Sequence, residues 1–124
     1  MAGAQPVHTV LVVDDEPVIV RLLHRLLETE FVVTEAYDGP SAIAAWRASP
    51  ADVIVLDHMM PGVDGLEVAS QILAEDPGQR IVMFTALTNK SLVARAEALG
   101  IRAFVPKTDA VRLAEVLTRV LAED

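Results

Sequence analysis

A parallel five-stranded sheet with helices on both faces is the fold that this 124-residue sequence predicts, and three features predict it. Five short strand-like runs recur along the chain: Thr9-Val10-Leu11-Val12-Val13, Phe31 to Ala36, Val53-Ile54-Val55-Leu56, Ile81-Val82-Met83-Phe84 and Ala103-Phe104-Val105. After each run comes a stretch whose apolar residues fall at helical spacing. The first, third and fourth runs show no polar alternation, as expected of parallel strands covered on both faces. Strand and helix therefore alternate five times, which implies a doubly wound (βα)5 three-layer sandwich in one domain spanning 1–124.

Each element has local cues. Residues 1–6 read as a loose arm before the first strand. That strand stops on Asp14-Asp15-Glu16-Pro17, a helix start in which Pro17 suits the first helical position and the acids complement the positive helix end. Ile19, Leu22, Leu23, Leu26 and Leu27 then form the expected apolar face, with Arg21, His24, Arg25 and Glu28 opposite. Val33 and Glu35 alternate within the second strand, which marks it as an edge. Asp38-Gly39-Pro40-Ser41 opens a helix through Ala48, closed by Ser49-Pro50. After the third strand, Asp64-Gly65-Leu66-Glu67 resembles a capping box and starts a helix to about Glu75, ended by Asp76-Pro77-Gly78. Asn89 to Leu99 reads as a helix with Gly100 as its left-handed stop. A last helix runs from about Asp109 to Leu121, with Leu113, Val116, Leu117 and Val120 on one face.

Composition removes several function classes. Aromatics are 4% of a chain that is 52% hydrophobic, so the core is aliphatic. A formal charge of −8 argues against direct nucleic-acid binding or docking on an acidic membrane. No cysteine is present, which excludes disulfides, iron–sulfur clusters and thiolate zinc sites. The start of the chain lacks a signal-peptide pattern and no apolar run is long enough to span a bilayer, so a cytoplasmic location is expected.

Four of the five strands end on chemistry: Asp14-Asp15, Asp57, Thr85 and Lys107. Ligands of open parallel sheets bind outside the carboxyl ends of the strands, and the flavodoxin-like order 2-1-3-4-5 brings the ends of strands 1, 3, 4 and 5 together. The second strand, ending at Tyr37-Asp38, sits at the edge and adds nothing. Two carboxylates about 4 Å apart repel by about 4 kcal/mol at an effective dielectric of about 20, so three need a cation. Oxygen ligands without histidine or thiolate favour Mg²⁺, which also accepts a phosphate oxygen. The Lys107 ammonium is a point charge for the same phosphate, and Thr85 can donate one hydrogen bond to it. An anion site over a cation site, with a carboxylate in attack position, suits phosphoryl transfer to an aspartate.

With these residues the chain resembles the receiver domains of two-component response regulators over essentially its whole length. The matching stretches are Val12-Val13-Asp14-Asp15-Glu16-Pro17, Asp57-His58-Met59-Met60-Pro61-Gly62-Val63-Asp64-Gly65, Thr85-Ala86 and Phe104-Val105-Pro106-Lys107. That family is itself a familiar example of the 2-1-3-4-5 order, so order and resemblance are one inference. The resemblance implies that Asp57 is the phosphoacceptor and Asp15 a direct Mg²⁺ ligand. Asp14 would act mainly through water, and the backbone carbonyl of Met59 would complete the protein ligands. Thr85 and Lys107 would bind the phosphoryl group, small Ala86 would leave room for it, and Thr85 with Phe104 would form the switch pair. The implied function is a phosphorylation-dependent signalling switch rather than an enzyme on external substrates. It would be charged by a sensor histidine kinase or histidine phosphotransfer protein, and would act on an output domain or partner through its fourth helix, fifth strand and fifth helix.

Two departures stand out. Thr108 occupies the place where receivers usually carry a cis proline after the lysine, a change frequent in members joined to helix-turn-helix outputs. Arg102-Ala103 replaces an acidic pair that some regulators use to dimerise, which counts against that mode of phosphorylation-dependent dimerisation while leaving others open. Two alternatives carry weight. A Mg²⁺-dependent aspartyl-nucleophile phosphohydrolase of the haloacid-dehalogenase type needs an acid two residues after the nucleophile, where Met59 stands. A degenerate receiver serving as a constitutive interaction module is opposed by the intact acids, Thr85 and Lys107. His58 is expected to be exposed in its loop, and His8 and His24 to lie on the surface without clustered partners. Trp46 is expected to pack in the core, and Lys90 and Arg95 to lie on a solvated helix face.

Overall fold

The computed structural model describes residues 8–86 and 89–123, so the expected arm over residues 1–6 lies outside the described residues. Five strands, β1 (Thr9–Val13), β2 (Val32–Ala36), β3 (Val53–Leu56), β4 (Arg80–Thr85) and β5 (Ala103–Pro106), pair in parallel in the order β2-β1-β3-β4-β5. The helices are α1 (Pro17–Leu27), α2 (Gly39–Ala48), α3 (Gly65–Glu75), α4 (Lys90–Leu99) and α5 (Leu113–Ala122). No described helix is long and apolar enough to cross a membrane.

Strand side chains alternate between faces, and here each face has its own aliphatic core. Leu11, Val13, Ile54, Leu56, Ile81 and Met83 face one side, where α2, α3 and α4 cover them with Ile43, Leu66, Ile72 and Leu92. Val10, Val12, Val53, Val55, Val82 and Phe84 face the other, under Val20, Leu23 and Leu27 of α1 and Leu113 and Leu117 of α5. Each such side chain, fully buried, contributes about 1.5–3 kcal/mol. Trp46 packs as expected, and its indole N–H donates to Gln79 Oε1 at 2.8 Å inside the core.

Asp64 caps its helix as predicted, and Asp38 and Asn89 cap theirs in the same way. Asp38 accepts from the Ser41 amide at 2.7 Å, Asp64 from Glu67 at 2.9 Å and Asn89 from Leu92 at 2.8 Å. Gly100 ends α4 at φ +98°, a conformation that costs glycine nothing.

Three expectations need correction. The buried stripe of α1 is Val20, Leu23 and Leu27, whereas Leu22 and Leu26 face solvent with Val18. A helix lying flat on a sheet buries one stripe, and Leu22 lies about 200° around the helix from Val20. The second strand starts at Val32 rather than Phe31, because the Phe31 amide bonds back to Leu27 O and closes the turn after α1. The last α-helix starts at Leu113 rather than Asp109. Lys107–Arg112 form a 3₁₀ turn first, with Asp109 outside helical geometry at φ −118°, ψ 34°.

Candidate functional site

The carboxyl edge of the sheet places the four predicted positions together. Asp57 continues β3, its amide bonded to Val13 O at 3.0 Å, and the Asp14 amide reaches Ala36 O at 3.3 Å. Both acids are thus tied to the sheet, and both are buried, at 1% exposure for Asp14 and 3% for Asp57. Asp15 is half-buried beside them, and ligand oxygens of Asp14, Asp15 and Asp57 all lie within 4.8 Å of one another. Thr85, fully buried, closes β4 two residues beyond Met83, the register partner of Leu56. Lys107 leaves the end of β5 and extends its ammonium to Asp14 Oδ2 at 2.8 Å, Asp57 Oδ2 at 3.4 Å and Glu16 Oε1 at 3.4 Å. Met59 is exposed, and its amide lies 3.4 Å from Asp57 Oδ1.

One ammonium faces more negative charge than it can neutralise. Burial raises the Asp14 pKa, and the Asp57 charge adds to this, while hydrogen bonds from Lys107 and the Glu16 amide act the other way. Burial alone would lower the Lys107 pKa, yet the hydrogen bond with Asp14 and the charges of Asp57 and Asp14 outweigh it, so the net shift is upward. An acid and its partner base are both raised because the lysine gathers the attraction of several acids, whereas each acid shares one lysine. Asp14 Oδ2 is buried with the Lys107 ammonium 2.8 Å away as its ion-pair partner, an ammonium it shares with Asp57 and Glu16. Three carboxylates beside one ammonium, all offering oxygen, form a donor set that suits a hard divalent cation such as Mg²⁺.

Two residues, His58 and Gly65, take places that the sequence reading did not give them. His58 is not the exposed loop residue expected: its side chain is 12% exposed, and Nδ1 is buried without a hydrogen-bond partner, 3.9 Å from Asp64 Oδ1. The loop folds back on it, because the Met60 and Gly65 amides both donate to His58 O, at 3.2 and 2.9 Å. The same fold brings Gly65 so close that a Cβ there would lie 2.2 Å from the Asp57 carbonyl oxygen. A glycine opening a helix just after a strand-end acid is a sequence signal for such an approach, though it also reads as an ordinary turn residue. His8 and His24 are on the surface as expected, but each has acidic partners. His24 Nδ1 lies 2.7 Å from Glu35 Oε2, which with a Tyr37 hydroxyl bond holds the Glu35 carboxyl below its usual pKa, and His8 Nδ1 lies 3.5 Å from Asp52 Oδ2. Lys90 and Arg95 are exposed, as expected.

Comparison with known proteins agrees with this geometry. The family model for the response regulator receiver domain matches residues 10–118. The chain is 48% identical over 86 residues to the probable transcriptional regulatory protein TcrX of Mycobacterium tuberculosis, an alignment covering 68% of this chain and 36% of that protein. It is 32% identical over 112 residues to the chemotaxis protein CheY of Listeria monocytogenes, covering 88% of this chain and 94% of that one. Among solved structures, Vibrio cholerae chemotaxis protein CheY4 superposes with a TM-score of 0.86 at 27% identity, covering 91% of this chain and 98% of the other. The chain spans about a third of the length of TcrX and of two protein-glutamate methylesterase/protein-glutamine glutaminases that it also matches. Fold, strand-end acids and family match converge on one conclusion: this chain belongs to the response regulator receiver domains, the phosphorylation-dependent signalling modules of two-component systems.

Proposed function

We propose that this domain is a switch charged on Asp57 by a sensor histidine kinase or histidine phosphotransfer protein, and that it signals through α4, β5 and α5. The observation that carries the reading is the Asp57 carboxylate, buried at the sheet edge with the Lys107 ammonium 3.4 Å away and two further acids beside it. An Asp57 oxygen attacks the phosphorus, the bond to the donor nitrogen or oxygen breaks, and the donor leaves with that electron pair. Lys107 offsets the charge of the transferred group and the Thr85 hydroxyl donates to it. Asp14, Asp15, Asp57 and the Met59 carbonyl would hold Mg²⁺, which when bound neutralises both the acids and the phosphoryl oxygens. The chemistry is confined to the domain's own phosphorylation and dephosphorylation, and its place is the cytoplasm.

A protein donor needs a landing surface, and α1 and the turn after Lys107 each expose apolar residues. Val18 is 67% and Leu22 44% exposed on α1, and Val111 is 84% exposed in the turn after Lys107. Exposed apolar residues on these two elements suit a protein partner. A phosphohydrolase is disfavoured by Met59, which offers no acid two residues after Asp57. A degenerate receiver is disfavoured by the complete acid, lysine and threonine set. Dimerisation on phosphorylation belongs to this reading only by a route that does not need the acidic pair replaced by Arg102-Ala103.

Incubation with acetyl phosphate tests the reading. Wild type with Mg²⁺ is expected to gain the mass of one phosphoryl group, while Asp57→Asn and the chelator-treated protein gain none; equal labelling of wild type and variant would refute the assignment. A second expected result concerns stability. At a few times its Kd, Mg²⁺ binding to the native state adds about 1 kcal/mol, or about 4 °C in Tm, and Asp15→Asn removes most of the gain. Identical melts in chelator and in millimolar Mg²⁺ would show that the acid cluster holds no ion.

A further inference from the structure

The His58 ring has no part in the chemistry above, although it stands between Asp57 and Met59. Its side chain is 12% exposed, and Nδ1 is buried with no hydrogen-bond partner among the described residues. Buried polar atoms are nearly always paired, so an unpaired one beside the phosphoacceptor calls for a reason. Asp64 Oδ1 lies 3.9 Å from it. That oxygen accepts from the Glu67 amide at 2.9 Å as the cap of α3, and a carboxylate has acceptor sites to spare. An approach of about 1 Å brings the pair to hydrogen-bond length, in the tautomer with its proton on Nδ1. The rest of the loop is already pinned. The Met60 amide bonds to His58 O at 3.2 Å, closing a three-residue turn around Met59, and the Gly65 amide bonds to the same oxygen at 2.9 Å. Met60 is buried and Val63 packs against the core beside it. Met59, 59% exposed, therefore hangs between two neighbours, and the direction of its carbonyl follows how firmly they are held.

We propose that His58 is a positioning residue for the cation site: its Nδ1–H bonds to Asp64 when the loop closes on an occupied acid cluster, and so holds the Met59 carbonyl in place. The proposal rests on the receiver reading above and deepens it. His58 touches neither the phosphorus nor the cation and acts only through Met59. Outer partners that orient a ligand are worth about 10- to 100-fold in metal affinity. A ring that only filled space would be replaced by leucine at no cost to the cation. A ring that only steadied α3 would matter equally with and without Mg²⁺.

The test compares the whole chain with three variants. His58→Leu keeps bulk without a donor, His58→Asn keeps a donor near the place of Nδ1, and Asp64→Ser keeps a helix cap without the carboxylate. Melting temperature titrated with Mg²⁺ alone gives each Kd, and acetyl-phosphate labelling gives the rate as a function of Mg²⁺. His58→Leu and Asp64→Ser are each expected to weaken Mg²⁺ binding about 10-fold, with the labelling rate at saturating Mg²⁺ close to that of wild type. His58→Asn should recover most of the loss, and the double variant His58→Leu, Asp64→Ser should bind no worse than either single, because both changes remove one contact. Wild-type Mg²⁺ affinity in His58→Leu, no recovery in His58→Asn, or additive losses in the double variant would overturn the inference. Should His58→Leu fail to fold, Asp64→Ser decides: an unchanged Kd there refutes the contact. A wild type that neither binds Mg²⁺ nor labels would instead overturn the receiver reading beneath it.

Discussion

Gly65→Ala is expected to slow acetyl-phosphate labelling of Asp57 by about 10²-fold and to destabilise the fold by about 1–3 kcal/mol. The added Cβ would lie 2.2 Å from the Asp57 carbonyl oxygen, 2.7 Å from the His58 Cα and 2.9 Å from the Asp57 carbonyl carbon. All three are backbone atoms, so no side-chain rotation relieves the contact. Either α3 retreats, breaking the Gly65 amide bond to His58 O, or the chain at Asp57 moves. Moving it displaces the carboxylate from Lys107 and from the other acids, and a misplacement of about 1 Å at a reacting centre has an effect of that size. Gly78→Ala is the control, because its Cβ would meet only Asp76 Oδ1, at 3.4 Å, and it should leave labelling unchanged. Labelling rates at saturating Mg²⁺ together with urea melts check the pair. A Gly65→Ala protein with wild-type rate and stability would show that the loop yields freely.

The sheet was readable because buried parallel strands are written as uninterrupted aliphatic runs, and the acids at their ends stand out against such runs. Asp14, Asp57, Thr85 and Lys107 come from four separate strands, yet the strand order alone brings them to one edge. The caps were readable for a similar reason: Asp38, Asp64 and Asn89 bond amides three residues ahead, a purely local act. What stayed hidden depends on distant partners. Leu22 and Leu26 fit a helical apolar face as well as Leu23 and Leu27 do, and only the docking angle of α1 decides which stripe is buried. His58 is enclosed because the Gly65 amide returns to its carbonyl, and nothing in the run from Met59 to Asp64 announces that closure. The turn after Lys107 likewise departs from the α-helix through the backbone angles of Asp109, although no glycine or proline interrupts it.

Thr85→Ala is expected to separate phosphorylation from signalling: Asp57 should still be labelled, while the response of α4 and β5 is mostly lost. A phosphoryl group brings a charge of about −1.5 to −2 and strong acceptor oxygens. Lys107 already points at Asp57, so the other donor to be recruited is the Thr85 hydroxyl. Thr85 lies two residues beyond Met83 and so faces the α4 side of the sheet, where Met83 packs with Leu92 and Ala96. Phe104 is the register partner of Met83 and packs against the same cluster, which sets it diagonally behind Thr85. Movement of Thr85 toward Asp57 therefore opens space on the side of Phe104, and the half-buried ring, beside a hollow of about 70 Å³, has room to turn inward. Phenylalanine has no hydroxyl, so packing alone holds the inward state. A population shift of about 10- to 100-fold, about 1.4–2.8 kcal/mol, is the expected scale. Amide chemical shifts with and without beryllofluoride read it out. In wild type, Asn89 to Leu99 and Ala103 to Val105 should respond, and in Thr85→Ala the same amides should stay near their unmodified positions. Equal responses in the two proteins would show that the signal reaches α4 and β5 without Thr85, and silence in wild type would show that it does not reach them at all.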